Sequence, residues 1–157
     1  MFADRDHICL TEESIVARNL ENTMKNLLII DDDEMMLSAL TICFQGDGYE
    51  VVTALDGPEG IELYNKHHPS VVLLDLNMPT MRGLEVLDRI KKNDPSAKII
   101  IITGYASPEV LEESTRKGAF AFYDKTMDVD ILRGYVERAV EIGRNVLNLP
   151  IEHNPDY

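Results

Sequence analysis

VVLLDLNMPT, residues 71–80, places two different demands on one short stretch. Val71 to Leu74 are apolar without a break, as a strand covered on both faces requires. The run then ends on a carboxylate, Asp75, with Asn77 and a turn at Pro79 close behind. A buried strand that ends this way presents its acid at the rim of a sheet.

Four more apolar runs surround this one, which extends over SVVLLDL (70–76): NLLII (26–30), YEVVTA (49–54), KIIIIT (98–103) and FAFY (120–123). Three of the five are nearly continuous Val, Ile and Leu, which suits a parallel sheet covered on both faces. Helical periodicity fills the gaps. Met36, Leu40 and Cys43 recur on one face of the first helical segment, and Leu84, Leu87 and Ile90 on one face of the third. Leu132, Val136, Ala139 and Val140 align in the last, from about residue 128 to 147.

The punctuation agrees. Ser107-Pro108 reads as N-cap then N1, Gly118 as a helix stop, and Asp47-Gly48 and Asp94-Pro95 as turns. The alternation predicts a doubly wound α/β fold of (βα)5 type with right-handed crossovers. No internal repeat and no low-complexity segment interrupts it.

The 157 residues suit one domain with extra length, expected over 24–147. Residues 1–23 stand outside the alternation as an N-terminal extension, with Thr11 as N-cap of a weak helix that carries Ile15, Val16 and Leu20. Residues 148–157 form a C-terminal tail. The formal net charge of −13 disfavours a nucleic-acid partner and favours divalent cations and basic protein surfaces. Two cysteines make no disulfide framework, and Cys43 is expected as a small buried apolar residue. No apolar run reaches membrane-spanning length and no signal peptide is visible, so the cytoplasm is the expected address and no membrane the expected partner.

Ligands of open α/β sheets bind beyond the carboxyl ends of the strands. Asp31, Asp32, Asp33 and Glu34 follow the first run, Asp75 and Asn77 the third, Thr103-Gly104 the fourth, and Lys125 the fifth. Singly, each has an ordinary explanation. Asp33 or Glu34 serves as a helix N-cap, Thr103 bonds to backbone, and Lys125 is a solvated lysine. Jointly, acids, a hydroxyl and an ammonium on one rim point to phosphoryl transfer to a carboxylate.

Adjacent acids repel one another unless a cation shares the site. Mg2+ fits this donor set, because it prefers oxygen ligands and is held by one or two carboxylates plus phosphate oxygens. Asp32 and Asp75 are the expected ligands, with Asp31 assisting through water and a main-chain carbonyl beyond Asp75 completing the set. Lys125 and the Thr103 hydroxyl would meet the phosphoryl oxygens, and Gly104 leaves room for their approach.

These residues resemble the receiver (response-regulator) domain of two-component signalling, of the chemotaxis-regulator kind, over roughly residues 24–145. LLIIDDDE carries the acidic pair Asp31 and Asp32, LLDLNMPTMRG the acceptor-like Asp75, IIIITG Thr103, and FAFYDK Lys125. The resemblance implies a flavodoxin-like three-layer sandwich with strand order 2-1-3-4-5. It also implies that Asp75 accepts phosphate from a phosphohistidine on a sensor histidine kinase or phosphotransfer protein, with Mg2+ held by Asp32, Asp75 and the backbone oxygen of Asn77. Thr103 and Phe122 take the switch positions, and Asn77 and Tyr105 the positions that tune phosphate lifetime. A homodimer is compatible with the family.

Two positions depart from its pattern. Thr126 follows the lysine where the family has proline, so a trans peptide and a rearranged loop are expected, with Asp124 as a nearby competitor for the Lys125 ammonium. Arg82 stands where the family commonly has a capping Asp, which costs the helix about 1 kcal/mol.

No helix-turn-helix segment or basic stripe is visible, so the expected output is a protein contact, unless the chain belongs to a larger response regulator. Three other readings fit the chain less well. A phosphatase of the haloacid-dehalogenase kind needs Thr or Val where Met35 stands, and a cap insertion is absent. A receiver-like module that only binds proteins would not need the full set Asp31, Asp32, Asp75, Thr103 and Lys125. A nucleotide-binding Rossmann domain lacks its glycine-rich loop after the first strand.

Overall fold

Successive strand side chains point to opposite faces of a sheet, so an unbroken apolar run needs cover on both sides. The computed structural model describes residues 11–13 and 25–147 and supplies that cover with helices on each face. In chain order its elements are β1 (Asn26–Ile30), α1 (Glu34–Gly46), β2 (Glu50–Ala54), α2 (Gly57–His67) and β3 (Val71–Asp75). They continue as α3 (Gly83–Asn93), β4 (Ile99–Thr103), α4 (Pro108–Arg116), β5 (Ala121–Asp124) and α5 (Val129–Leu147). The five parallel strands are ordered β2-β1-β3-β4-β5, the expected doubly wound arrangement. The expected extension over 1–23, apart from residues 11–13, and the expected tail over 148–157 lie outside the described residues.

Alternate residues of the central strands divide between two cores. Leu27, Ile29, Val71, Leu73, Ile100 and Ile102 meet Leu37, Leu40 and Phe44 of α1 and Leu132, Val136, Ala139 and Val140 of α5. Leu28, Ile30, Val72, Leu74, Ile99 and Ile101 meet Tyr64 of α2 and Val86, Leu87 and Ile90 of α3. Burying one such side chain stabilises the fold by about 1.5–3 kcal/mol, so both sheet faces contribute strongly. α4 buries only Ser114 completely, whose hydroxyl donates to Val110 O at 2.7 Å. It is the helix least anchored by side-chain burial.

The helix faces correct the sequence reading by one position. On α1 the buried stripe is Leu37, Leu40 and Phe44, while Met36 and the expected core residue Cys43 are only half-buried. Phe44 takes the deepest place because its ring stacks edge-on against Tyr49, centroids 5.7 Å apart, under the turn into β2. On α3, Val86 rather than Leu84 completes the buried face. β5 is shifted one residue along from FAFY, and the Phe120 N–H already pairs with Ile99 O.

The caps follow the sequence closely. Asp33 receives the amides of Met35 and Met36 at the start of α1, and Ser107 that of Val110 before Pro108 of α4. Gly118, at φ 91°, follows the C-cap Lys117 in the left-handed region that glycine adopts freely. At α3 the N-cap is Arg82, which makes no side-chain capping bond.

Gly83, beside it, is a packing requirement. Its amide donates to Leu76 O at 3.1 Å, and a Cβ there would overlap the main-chain carbonyl oxygen of Asp75 and lie 2.7 Å from Leu76 Cα. Backbone cannot swing aside as a side chain can. Gly60 similarly lets α2 settle on Ile30, and Gly57 lets it meet Val86 and Met81.

Two substitutions at this corner should move stability in opposite directions. Arg82→Asp supplies the missing cap and a charge of the right sign for the helix dipole, and should raise unfolding free energy by about 1 kcal/mol in urea melts. Gly83→Ala should lower it by roughly 3 kcal/mol, because the methyl group must displace the end of β3.

Candidate functional site

The site forms where β1 and β3 run side by side, the point at which the chain reverses direction across the sheet. Ile30 pairs with Leu74, so the next residues, Asp31 and Asp75, stand together at the carboxyl edge. Both are buried, at 1% and 3% exposure, whereas Asp32 is exposed. One carboxylate oxygen from each of Asp31, Asp32 and Asp75 lies within 4.8 Å of the others.

Each acid is held by its own loop. Asp31 Oδ1 accepts the Asp33 amide at 2.9 Å, and Asp75 Oδ1 accepts the Asn77 amide at 3.3 Å. From the end of β5, Lys125 brings its ammonium to Asp31 Oδ2 at 3.0 Å and to Asp75 Oδ1 at 3.6 Å. The peptide before Thr126 is trans, as expected, and Lys125 still reaches the acids. Asp124 does not compete for that ammonium, contrary to expectation, because its Oδ1 accepts the Thr126 amide and hydroxyl instead, each at 2.8 Å.

Thr103, 5% exposed at the end of β4, faces the same rim. Its hydroxyl donates to Tyr105 O at 2.8 Å and accepts from the Tyr105 amide at 3.2 Å and from Asn77 Nδ2 at 3.4 Å. A Cβ on Gly104 would meet nothing within 4 Å, so the approach beside Thr103 is open. The Tyr105 ring is 78% exposed. Phe122 is half-buried against the α2–α3 core, opposite Ile101 in register.

The electrostatics are unbalanced. Burial pushes the Asp75 carboxyl above its ordinary value and the Asp31 charge pushes it further, with Lys125 opposing. Burial also works against the Lys125 ammonium, but the hydrogen bond to Asp31 and the charge of Asp75 outweigh it and hold its pKa above the ordinary value. Asp31 and Asp75 thus share the Lys125 ammonium, with the Asp32 carboxylate alongside. The donor set, oxygen only and open on the Asp32 side, fits a small hard dication such as Mg2+.

The sequence placed Asp31, Asp32, Asp75, Asn77, Thr103, Gly104 and Lys125 at one edge, and the fold brings them there. The sequence did not single out Gly83 or the bond between Asp124 and Thr126. The signal for Gly83 was its position just beyond the proline turn, where the chain must fold back on its own strand.

Comparison with known proteins bears on this geometry. The family model for the response regulator receiver domain matches residues 27–137. Sporulation initiation phosphotransferase F of Bacillus subtilis is 31% identical over 121 residues, 77% of this chain and 98% of that protein. Regulatory protein AtoC of Escherichia coli is 33% identical over 119 residues, 76% of this chain but 26% of that protein, so the likeness there concerns one part of a longer chain. Among solved structures, response regulator protein TrrA of Thermotoga maritima, in complex with Mg(2+)-BeF, matches with a TM-score of 0.68 at 32% identity, covering 73% of this chain and 98% of that one. With the strand order 2-1-3-4-5 and the acidic edge it carries, this chain belongs to the receiver domain family of response regulators.

Proposed function

We propose that Asp75 accepts a phosphoryl group from a phosphohistidine of a sensor histidine kinase or phosphotransfer protein, and that the phosphorylated chain presents an altered protein-binding surface. The observation that carries this reading is the meeting of Asp31, Asp32 and Asp75 with the Lys125 ammonium at one strand edge. The names of two relatives, a phosphotransferase and a regulator held with Mg(2+)-BeF, support it. Residues 24–147 are taken as the accepting unit, flanked by 1–23 and 148–157.

Asp32, Asp75 and the main-chain oxygen of Asn77 would hold Mg2+, with Asp31 assisting through water. When bound, the ion neutralises charge on the carboxylates and on the incoming phosphoryl oxygens. The residues of the chain do the rest. An oxygen of Asp75, fixed at the tip of a buried strand, forms the new O–P bond as the P–N bond breaks. The imidazole leaves neutral, keeping the electron pair on its released nitrogen and a proton on the other. Lys125 is placed to meet the charge on the transferring group, and Gly104 leaves the approach open.

Thr103 links the chemistry to the surface. Its hydroxyl is now donated to Tyr105 O, and a phosphoryl oxygen on Asp75 would compete for that donor. Released, the 104–107 loop and α4 can shift, since α4 is the helix with least buried anchoring. Phe122, half-buried beneath, can follow the vacated space, and Asn77 and Tyr105 at the mouth would set how readily water reaches the acyl phosphate. The surface so altered would meet a relay partner or a second copy of the chain.

Intact-mass spectrometry with Mg2+ and acetyl phosphate tests the reading. One phosphoryl gain is expected in the wild type, and none in Asp75→Ala or with a chelator; labelling that survives Asp75→Ala would overturn it.

Charge crowding yields a second expectation. Because the folded state raises the Asp75 pKa, it disfavours the ionised carboxylate. The penalty is absent below the ordinary carboxylate value near ~4, where folded and unfolded forms are both protonated, and grows as pH rises above it. Asp75→Asn should therefore raise Tm by about 3 °C at pH 7 without Mg2+ and leave it unchanged near ~3, as read in thermal melts.

A further inference from the structure

Lys125 reaches Asp31 and Asp75 from a turn whose Asp124 and Lys125 are only half-buried and whose Thr126 and Met127 are exposed, so burial alone does not hold the turn in shape. Local bonds do. Asp124 Oδ1 accepts both the amide and the hydroxyl of Thr126, each at 2.8 Å. The Met127 amide closes the turn on Asp124 O at 2.9 Å, and the hydroxyl of the buried Tyr123 donates to Met127 O at 2.7 Å. On the other side the Lys125 amide donates to Thr103 O at 2.9 Å. The lysine backbone is thus tied to β4 and, through its two neighbours, to the turn itself.

We infer that Asp124 and Thr126 act as a clasp that positions Lys125: their paired hydrogen bonds fix the turn and direct the Asp124 carboxylate away from the Lys125 ammonium, leaving it to Asp31 and Asp75. This inference rests on Asp75 being the phosphoacceptor. A carboxylate directly before a lysine is its nearest possible partner, and an unengaged Asp124 would draw the ammonium outward. Both Thr126 donors favour the ionised form of Asp124 and lower its pKa, the amide more than the hydroxyl, so the clasp is intact at neutral pH. Thr126 thereby does with two donors what a ring-constrained residue would do by restricting φ, and it requires the acid at 124. Neither residue touches the reacting atoms. Their effect passes through the lysine.

The test uses the full chain and two rates. The first is phosphorylation of Asp75 from acetyl phosphate with Mg2+, in which the P–O bond to the acetyl group breaks, acetate leaves with the electron pair and the Asp75 O–P bond forms. The second is modification of Lys125 by an amine-acylating reagent, followed by peptide mass spectrometry without any phosphoryl donor. Asp124→Ala should slow phosphorylation at saturating donor about tenfold, with the half-saturating donor concentration unchanged, since loosening a positioned group costs rate rather than binding. It should also speed Lys125 acylation several-fold. Asp124→Asn and Thr126→Ser, which keep the acceptor and the donors, should stay within about twofold of wild type on both rates.

The clasp is overturned if Asp124→Ala matches wild type in both rates, or if Asp124→Asn is as impaired as Asp124→Ala. Should Asp124→Ala fail to fold, Thr126→Val decides, with faster Lys125 acylation expected and an unchanged rate refuting the clasp. If the wild type takes up no phosphate, the phosphoacceptor reading falls, and Lys125 acylation in Asp124→Ala against wild type still decides the clasp.

Discussion

The parallel pairing of β1 with β3 is the constraint on which the rest depends. Ile30 lies opposite Leu74, and the residue after each is an aspartate. Strand side chains alternate faces, so a slip of one residue would send Ile29 and Ile30 to the wrong cores and separate Asp31 from Asp75. Register is therefore fixed by apolar burial along the strands, and the acidic edge inherits its geometry from that burial.

The same arrangement creates its own difficulty. Asp31 and Asp75 are carried into a poorly hydrated position and Asp32 stands close by, with one ammonium between them. A purely structural site would replace some of these acids, since like charges in low dielectric destabilise a fold. Under the proposed function, a dication and a phosphoryl group would relieve that crowding. Gly83 belongs to the same economy of space, because α3 can begin against the end of β3 only where no Cβ intervenes.

The anchoring is uneven in a way that suits a switch. α1, α3 and α5 each set several buried side chains into the two cores and α2 sets Tyr64, while α4 buries only the polar Ser114, which is not part of either core. Thr103 lies at the junction, its hydroxyl bonded to the loop that leads to the weakly held helix. A change at the carboxylate edge thus meets rigid packing on one side and a yielding element on the other.

Much of this architecture is legible in the sequence. Five apolar runs, their helical intervals, the caps at Ser107 and Asp33, the stop at Gly118 and the set of acids, hydroxyl and lysine all follow from periodicity and side-chain chemistry, which act over a few residues. Which side chain lies deepest did not follow. Phe44 displaced Cys43, and Val86 displaced Leu84, because helix rotation is settled by the sum of contacts across two layers. The partner of Asp124 was also misjudged: sequence placed a carboxylate beside an ammonium, and only the turn geometry gave it to Thr126. Local pattern and residue chemistry suffice for the elements and for the groups gathered at their ends. The tertiary structure decided which charges are buried, which are paired and how closely the backbones approach, because those depend on distances between segments that local periodicity does not encode.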